Sequence, residues 1–220
     1  MATHLDLEEQ EQLAQLKHFW NRYGNLITWV LIIVLGAFAA WNGWQWWQRE
    51  QAAKAGAMYD EVERAAQAKD AAKALHAFSD LKERYGGTAY AEQAGLLAAK
   101  VAYEQGKVDE ARASLAWVAD NASEVEYRTI ARLRLAALLL DAKQYDAALA
   151  QLDQAKAKGF EALVADRRGD VLLAQGKKDE ARAAYQRAWD EMDPSIEYRR
   201  LIDAKLTALG AAPAASGAAQ

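Results

Sequence analysis

The stretch GKKDEARAAYQRA, residues 176–188, decides the fold because the chain carries it more than once. It aligns without gaps with KQYDAALAQLDQA (143–155) and with GKVDEARASLAWV (106–118). In the three copies the small residues Ala111, Ala148 and Ala181 are followed four places later by Leu115, Leu152 and Tyr185, and seven places later by Val118, Ala155 and Ala188. Spacings of four and seven put these residues on one helix face. The copies are 37 and then 33 residues apart, and a fainter one precedes them, with Ala74, Phe78 and Leu81 in the same register.

The surroundings support a helical reading. From about residue 51 to about residue 209 the chain is dominated by Ala, Leu, Glu, Lys, Arg, Gln, Asp and Tyr, with Pro194 the one proline, which is a helix-forming composition. Short breaks such as Tyr85-Gly86-Gly87-Thr88, Gln105-Gly106-Lys107 and Gln175-Gly176-Lys177 separate the segments. A helix-turn-helix unit near 34 residues, with glycine at the turn and small-then-large residues on its second helix, resembles the tetratricopeptide pattern. The last copy is the fullest, with Gly169, Gly176, Ala181, Tyr185, Ala188 and Pro194, while the usual first-helix aromatic is missing. Four copies and a closing helix at 198–209 are expected to stack as a solenoid, and residues 210–220 to be a disordered tail.

Upstream, GNLITWVLIIVLGAFAAWNGWQWWQ (24–48) contains no Asp, Glu, Lys or Arg in a chain that is 26% charged. A helix of this length rises roughly 36 Å, enough to cross a hydrocarbon core. Trp20, Tyr23, Trp41, Trp44, Trp46 and Trp47 flank it as interfacial aromatics do. A cleaved signal peptide is not expected, since the lead is acidic (Asp6, Glu8, Glu9, Glu11) and tryptophans stand where a small-residue cleavage site would be. Leu13, Leu16, Phe19 and Trp20 mark an amphipathic turn at the membrane surface. Gly36 and Ala40, and Ala39 and Gly43, are four apart, so they form either a helix contact face or the ordinary small-residue content of a membrane helix. The expected fold is therefore all-α, a single N-terminal transmembrane helix followed by a tetratricopeptide-like solenoid. The expected segments are a tail (1–23), the span (24–48), the repeats (49–209) and the C-terminal tail (210–220). Lys17 and Arg22 before the span balance Arg49 and Lys54 after it, so charge does not orient the chain.

The chain has 27 Lys plus Arg against 31 Asp plus Glu; setting aside Lys17, Arg22, Asp6, Glu8, Glu9 and Glu11 leaves 25 against 27, with no basic cluster. That argues against a nucleic-acid partner. Cysteine is absent, which excludes disulfides and thiolate zinc sites. No catalytic constellation is found: His4, His18 and His76 lie far apart without an evident acidic partner, and Gly86-Gly87 lacks the Lys and Ser or Thr of a phosphate loop. A non-enzymatic protein without cofactor is expected. In the repeat register the groove-facing residues are Gln93, Leu96, Lys100 and Tyr103, then Ile130, Leu133, Ala137 and Leu140, then Leu163, Asp166, Asp170 and Leu173. The leucines among them serve either as groove lining or as core. The set suits an apolar polypeptide segment or a partner's helix.

EEQEQ (8–12), FWNRYGN (19–25), GWQWWQ (43–48) and LVADRRGDVLLAQGKKDEARAAYQRAW (163–189) together resemble the YfgM-like ancillary subunits of the bacterial SecYEG translocon. This resemblance covers nearly the whole chain; the abundance of Trp near the span and the Ala-Pro-Ser tail depart from it. It implies an inner-membrane protein with a cytoplasmic N-terminus and a periplasmic repeat domain. It also implies association with the SecYEG translocon and with a membrane-anchored periplasmic chaperone of the peptidyl-prolyl isomerase type, in the service of exported polypeptides. From the residues alone, a self-associating membrane-anchored scaffold is the alternative.

Overall fold

The computed structural model describes residues 7–211. His4, Asp6 and all but the first two residues of the tail expected at 210–220 lie outside the described residues. Among the described residues every regular element is a helix. The chain divides into two units, Met1–Glu50 and Gln51–Gln220.

The first unit is formed by α1 (Leu7–Gln67), which continues into the second. From Leu26 to Trp47 its large apolar side chains are exposed, apart from the half-buried Ile27. Water does not tolerate a continuous apolar surface of this extent, and hydrocarbon does. The polar side chains inside the stretch are satisfied locally: Thr28 Oγ1 donates to the Gly24 carbonyl and Asn42 Nδ2 to that of Phe38, each at 2.8 Å. The segment boundary expected at 48/49 is not a helix end. Arg49, Glu50, Gln51, Ala52, Ala53 and Lys54 are good helix formers, and the backbone runs on through them to Gln67.

The second unit pairs the C-terminal part of α1 with α2 (Ala71–Tyr85), then α3 (Ala89–Glu104) with α4 (Val108–Asn121), α5 (Val125–Asp141) with α6 (Tyr145–Gln154), and α7 (Glu161–Ala174) with α8 (Lys178–Glu191); α9 (Arg199–Ala208) follows. The turn inside each pair has one design. Lys69, Gly106, Lys143 and Gly176 occupy it with φ of 54°, 75°, 58° and 82°. The next amide then closes back on the ending helix: Asp70 to Ala65, Lys107 to Ala102, Gln144 to Leu139 and Lys177 to Leu172, at 2.8–3.0 Å. This is the Schellman arrangement, which needs a left-handed residue to satisfy the last carbonyls. The sequence signals it only where that residue is glycine. Lys69 and Lys143 adopt the same conformation against the steric preference of an L side chain.

The repeat register is the core. Ala74, Ala111, Ala148 and Ala181 are fully buried, and so, to within a few per cent, are Phe78, Leu115, Leu152 and Tyr185. Where the large residue is tyrosine, the facing helix must give way: a Cβ on Gly169 would lie 2.4 Å from Tyr185 Cε1. Polar ties join successive pairs. Glu92 Oε1 accepts the Ser123 amide at 2.6 Å, Thr129 Oγ1 accepts that of Ala157 at 3.1 Å, and Arg132 donates to the carbonyls of Gln154 at 2.7 Å and Ala119 at 3.2 Å. The Gln154 and Ala119 carbonyls lie in the last turns of α6 and α4, where no amide further along the helix reaches them. Burial pushes the Glu92 carboxyl pKa up, against the lowering effect of the Ser123 amide.

Two outcomes follow for the full-length chain in detergent, read by urea unfolding of the repeat unit. Lys143→Gly relieves the left-handed lysine and stabilises by about 0.5–1 kcal/mol. Gly169→Ala overpacks against Tyr185 and costs about 1–3 kcal/mol; Gly169→Ala combined with Tyr185→Leu loses less than the two single changes added.

Candidate protein-interaction groove

The first helices of successive pairs touch, α3 with α5 and α5 with α7, and their shared face carries the groove positions read from the sequence. Three of these meet at a cleft of about 350 Å³: Lys100 and Tyr103 from α3 and Ala137 from α5. Its floor is Ala99, Ala111, Leu115 and Leu138, and Arg134 and Asp141 complete the rim. Small residues at 99, 111 and 137 leave the hollow that longer side chains would fill. Tyr103 is 48% exposed. Lys100 Nζ lies 3.9 Å from Glu104 Oε1, a loose pair between exposed groups. Arg134 Nη1 donates to the Leu96 carbonyl at 3.3 Å. The residue as a whole is exposed, yet its guanidinium sits among enough protein atoms for burial to pull its pKa down.

The remaining positions are divided between packing and polar ties. Leu96 is 8% exposed and belongs to the core shared by α3, α4 and α5, against which Ile130 packs half-buried. Leu133 and Leu140 pack against the core between α5, α6 and α7, and Leu163 against that between α7, α8 and α9. Gln93 Nε2 donates to Tyr127 Oη at 2.9 Å, joining α3 to α5. Leu173 is 38% exposed.

Asp166 and Asp170 face inward. Asp166 is 1% exposed. Its oxygens accept from Tyr198 Oη at 2.8 Å and from Lys205 Nζ at 2.8 Å. Asp170 Oδ1 accepts from Tyr185 Oη at 2.9 Å and Lys205 Nζ at 2.7 Å, while Arg167 reaches its other oxygen at 3.2 Å. Burial first, then the Asp170 charge, holds the Tyr185 hydroxyl well above the usual phenol range. Burial and the bond to Asp166 do the same for Tyr198. Both hydroxyls therefore remain donors, and two carboxylates on α7 are committed to α9 and α8. In the membrane helix, Gly36, Ala39, Ala40 and Gly43 are exposed, and a Cβ on Gly36 or Gly43 would meet open space. His76, which sequence left without an acidic partner, stands with Nδ1 3.3 Å from Asp80 on an exposed helix face.

A tetratricopeptide repeat-like domain family matches residues 17–211. A Neisseria gonorrhoeae protein named Ancillary SecYEG translocon subunit is 33% identical over 95% of this chain and 100% of its own length. The chain belongs to the family of ancillary SecYEG translocon subunits. Relatives of the same name from Haemophilus influenzae (32% identical, 83% of this chain, 89% of theirs) and Escherichia coli (31%, 81% and 85%) are similar to it. Among solved structures, one described as MamA RS-1 ArsTM double mutant superposes with a TM-score of 0.51 at 17% identity, covering 71% of this chain and 89% of that one. That likeness concerns the fold alone. As a translocon-subunit family member built on interaction repeats, the chain has a fold of protein recognition rather than catalysis.

Arg134 and Asp141 were not among the groove positions read from sequence, although Arg134 is the charge inside the run ALLL-flanked LRLAALLL (133–140). It is the one charge in that eight-residue run, although α5 also carries Arg128 and Arg132. Removing the cation of the α7–α9 network tests that network: Lys205→Met leaves the buried Asp166 with the Tyr198 hydroxyl but no cation and destabilises by about 3 kcal/mol. Adding Asp166→Asn to that variant restores part of the loss, as measured by the urea midpoint.

Proposed function

We propose that this chain is a non-enzymatic inner-membrane adaptor of the SecYEG translocon. Residues 1–23 face the cytoplasm, 24–48 cross the membrane and 49–209 form a periplasmic repeat domain. That domain engages a membrane-anchored chaperone of the peptidyl-prolyl isomerase type and, through it or directly, exported polypeptides. The observation that carries this reading is the end-to-end match to relatives named as ancillary translocon subunits, which spans both the apolar helix and the repeats. The open cleft between α3 and α5 supports it by offering a surface for a partner segment. The exposed face of Gly36, Ala39, Ala40 and Gly43 allows close approach of a second membrane helix. Anchoring holds the domain at high effective concentration near its partners, so each contact can be weak.

A photo-crosslinker at Tyr103, with protease treatment of intact spheroplasts, tests the assignment. The expected result is digestion of the repeat domain from outside and adducts containing translocon or chaperone subunits. A protected domain, or adducts only between copies of this chain, identifies a self-associating scaffold instead.

A further inference from the structure

At the cleft between α3 and α5, two cations lack a close carboxylate among the described residues. Around α7 the cations are met by carboxylates: Arg168 pairs with Asp153, and Lys205 with Asp166 and Asp170, while Arg132 spends its guanidinium on the carbonyls of Gln154 and Ala119. At the cleft, among the described residues, Arg134 has one long bond to a carbonyl and no ion pair, and Lys100 has only Glu104 at 3.9 Å. A partly desolvated guanidinium presents several donors in a plane, which suits a carboxylate. Asp141, seven residues from Arg134 on the same helix and so about 10 Å along its axis, leaves the opposite end of the rim negative. Between the ends the floor is Ala99, Ala111, Leu115, Ala137 and Leu138. A small anion would meet the cations and leave this apolar floor wet; a purely apolar segment would bury the floor and leave the cations without partners.

We propose that the α3–α5 cleft binds a polypeptide segment in which an acidic side chain, lodged on Arg134 and Lys100, adjoins an aliphatic side chain seated on the alanine and leucine floor. Tyr103 closes over the aliphatic group, and Asp141 disfavours a second acidic residue at the far end. The inference rests on the adaptor reading, since it names the chemistry of the partner at that same surface.

Full-length protein in phosphatidylcholine nanodiscs is titrated against fluorescein-labelled peptides with Gly-Ser flanks and a Glu-Leu-Leu, Lys-Leu-Leu or Glu-Ser-Ser core, and anisotropy is recorded. The Glu-Leu-Leu peptide is expected to bind about tenfold or more tighter than either control, the worth of one charge-assisted contact. Arg134→Glu is expected to reverse the preference toward the Lys-Leu-Leu core, and Ala137→Phe, which fills the hollow, to weaken binding about tenfold. Circular dichroism melts establish that each variant is folded; should Ala137→Phe unfold, the exposed Lys100→Glu replaces it, with the same expected loss. Equal binding of the three peptides, binding indifferent to these substitutions, or no binding up to about 1 mM overturns the proposal. If Tyr103 still crosslinks to translocon or chaperone subunits in that event, the adaptor reading survives and only the peptide chemistry is wrong.

Discussion

Each repeat depends on one steric constraint, the close crossing of its two helices at a residue too small to hold them apart. Ala74, Ala111, Ala148 and Ala181 are fully buried at that crossing, and one large side chain four places on fills the space beside it. Interiors are packed to the density of organic crystals, so the two choices are not independent. The last repeat shows the coupling most directly: tyrosine replaces leucine at 185, and glycine stands at 169, where a methyl group would collide with the ring. The tyrosine in turn brings a hydroxyl into the core, which donates to Asp170, and Lys205 pairs with that carboxylate. One enlargement thus propagates into a polar network that fastens α9.

That network explains why the groove face is not uniform along the domain. Asp166 and Asp170 occupy the register positions of Leu133 and Ala137 in the preceding repeat, yet they serve the attachment of the closing helix. A buried carboxylate must be paired, and Lys205 is the cation that reaches it. Between α3 and α5 no such internal partner reaches Arg134, and the same face stays open there. Along this one face the α7 carboxylates are paired within the chain, whereas Arg134, among the described residues, has no ion pair.

The apolar helix obeys a different solvent. Most of its side chains are turned outward from Leu26 to Trp47, while Thr28 and Asn42 bond to carbonyls one turn back, as an environment without water requires. The helix backbone does not register the change of solvent. It continues into the first repeat because nothing in residues 49–54 opposes helix, so the composition break at Arg49 is not where the helix stops.

The helical class, the membrane-crossing stretch, the repeat period and the buried residues of every second helix were legible in the sequence, because a spacing of four and seven on a helix leaves little choice of what faces inward. Glycine at 106 and 176 likewise announced two turns. The repeat alignment set Lys143 in register with those glycines, whereas Lys69 hid its turn; in neither lysine does the side chain advertise the left-handed conformation that tertiary packing imposes. The groove was legible as a face but not as a site. Which of its leucines are core, that Asp166 is held by a lysine 39 residues later, and that Arg134 lines the same cleft as Lys100 from another helix are outcomes of how helices distant in sequence come to lie side by side. Local spacing determines which face a residue occupies; only the assembled packing decides whether that face finds a partner within the chain or is left for another molecule.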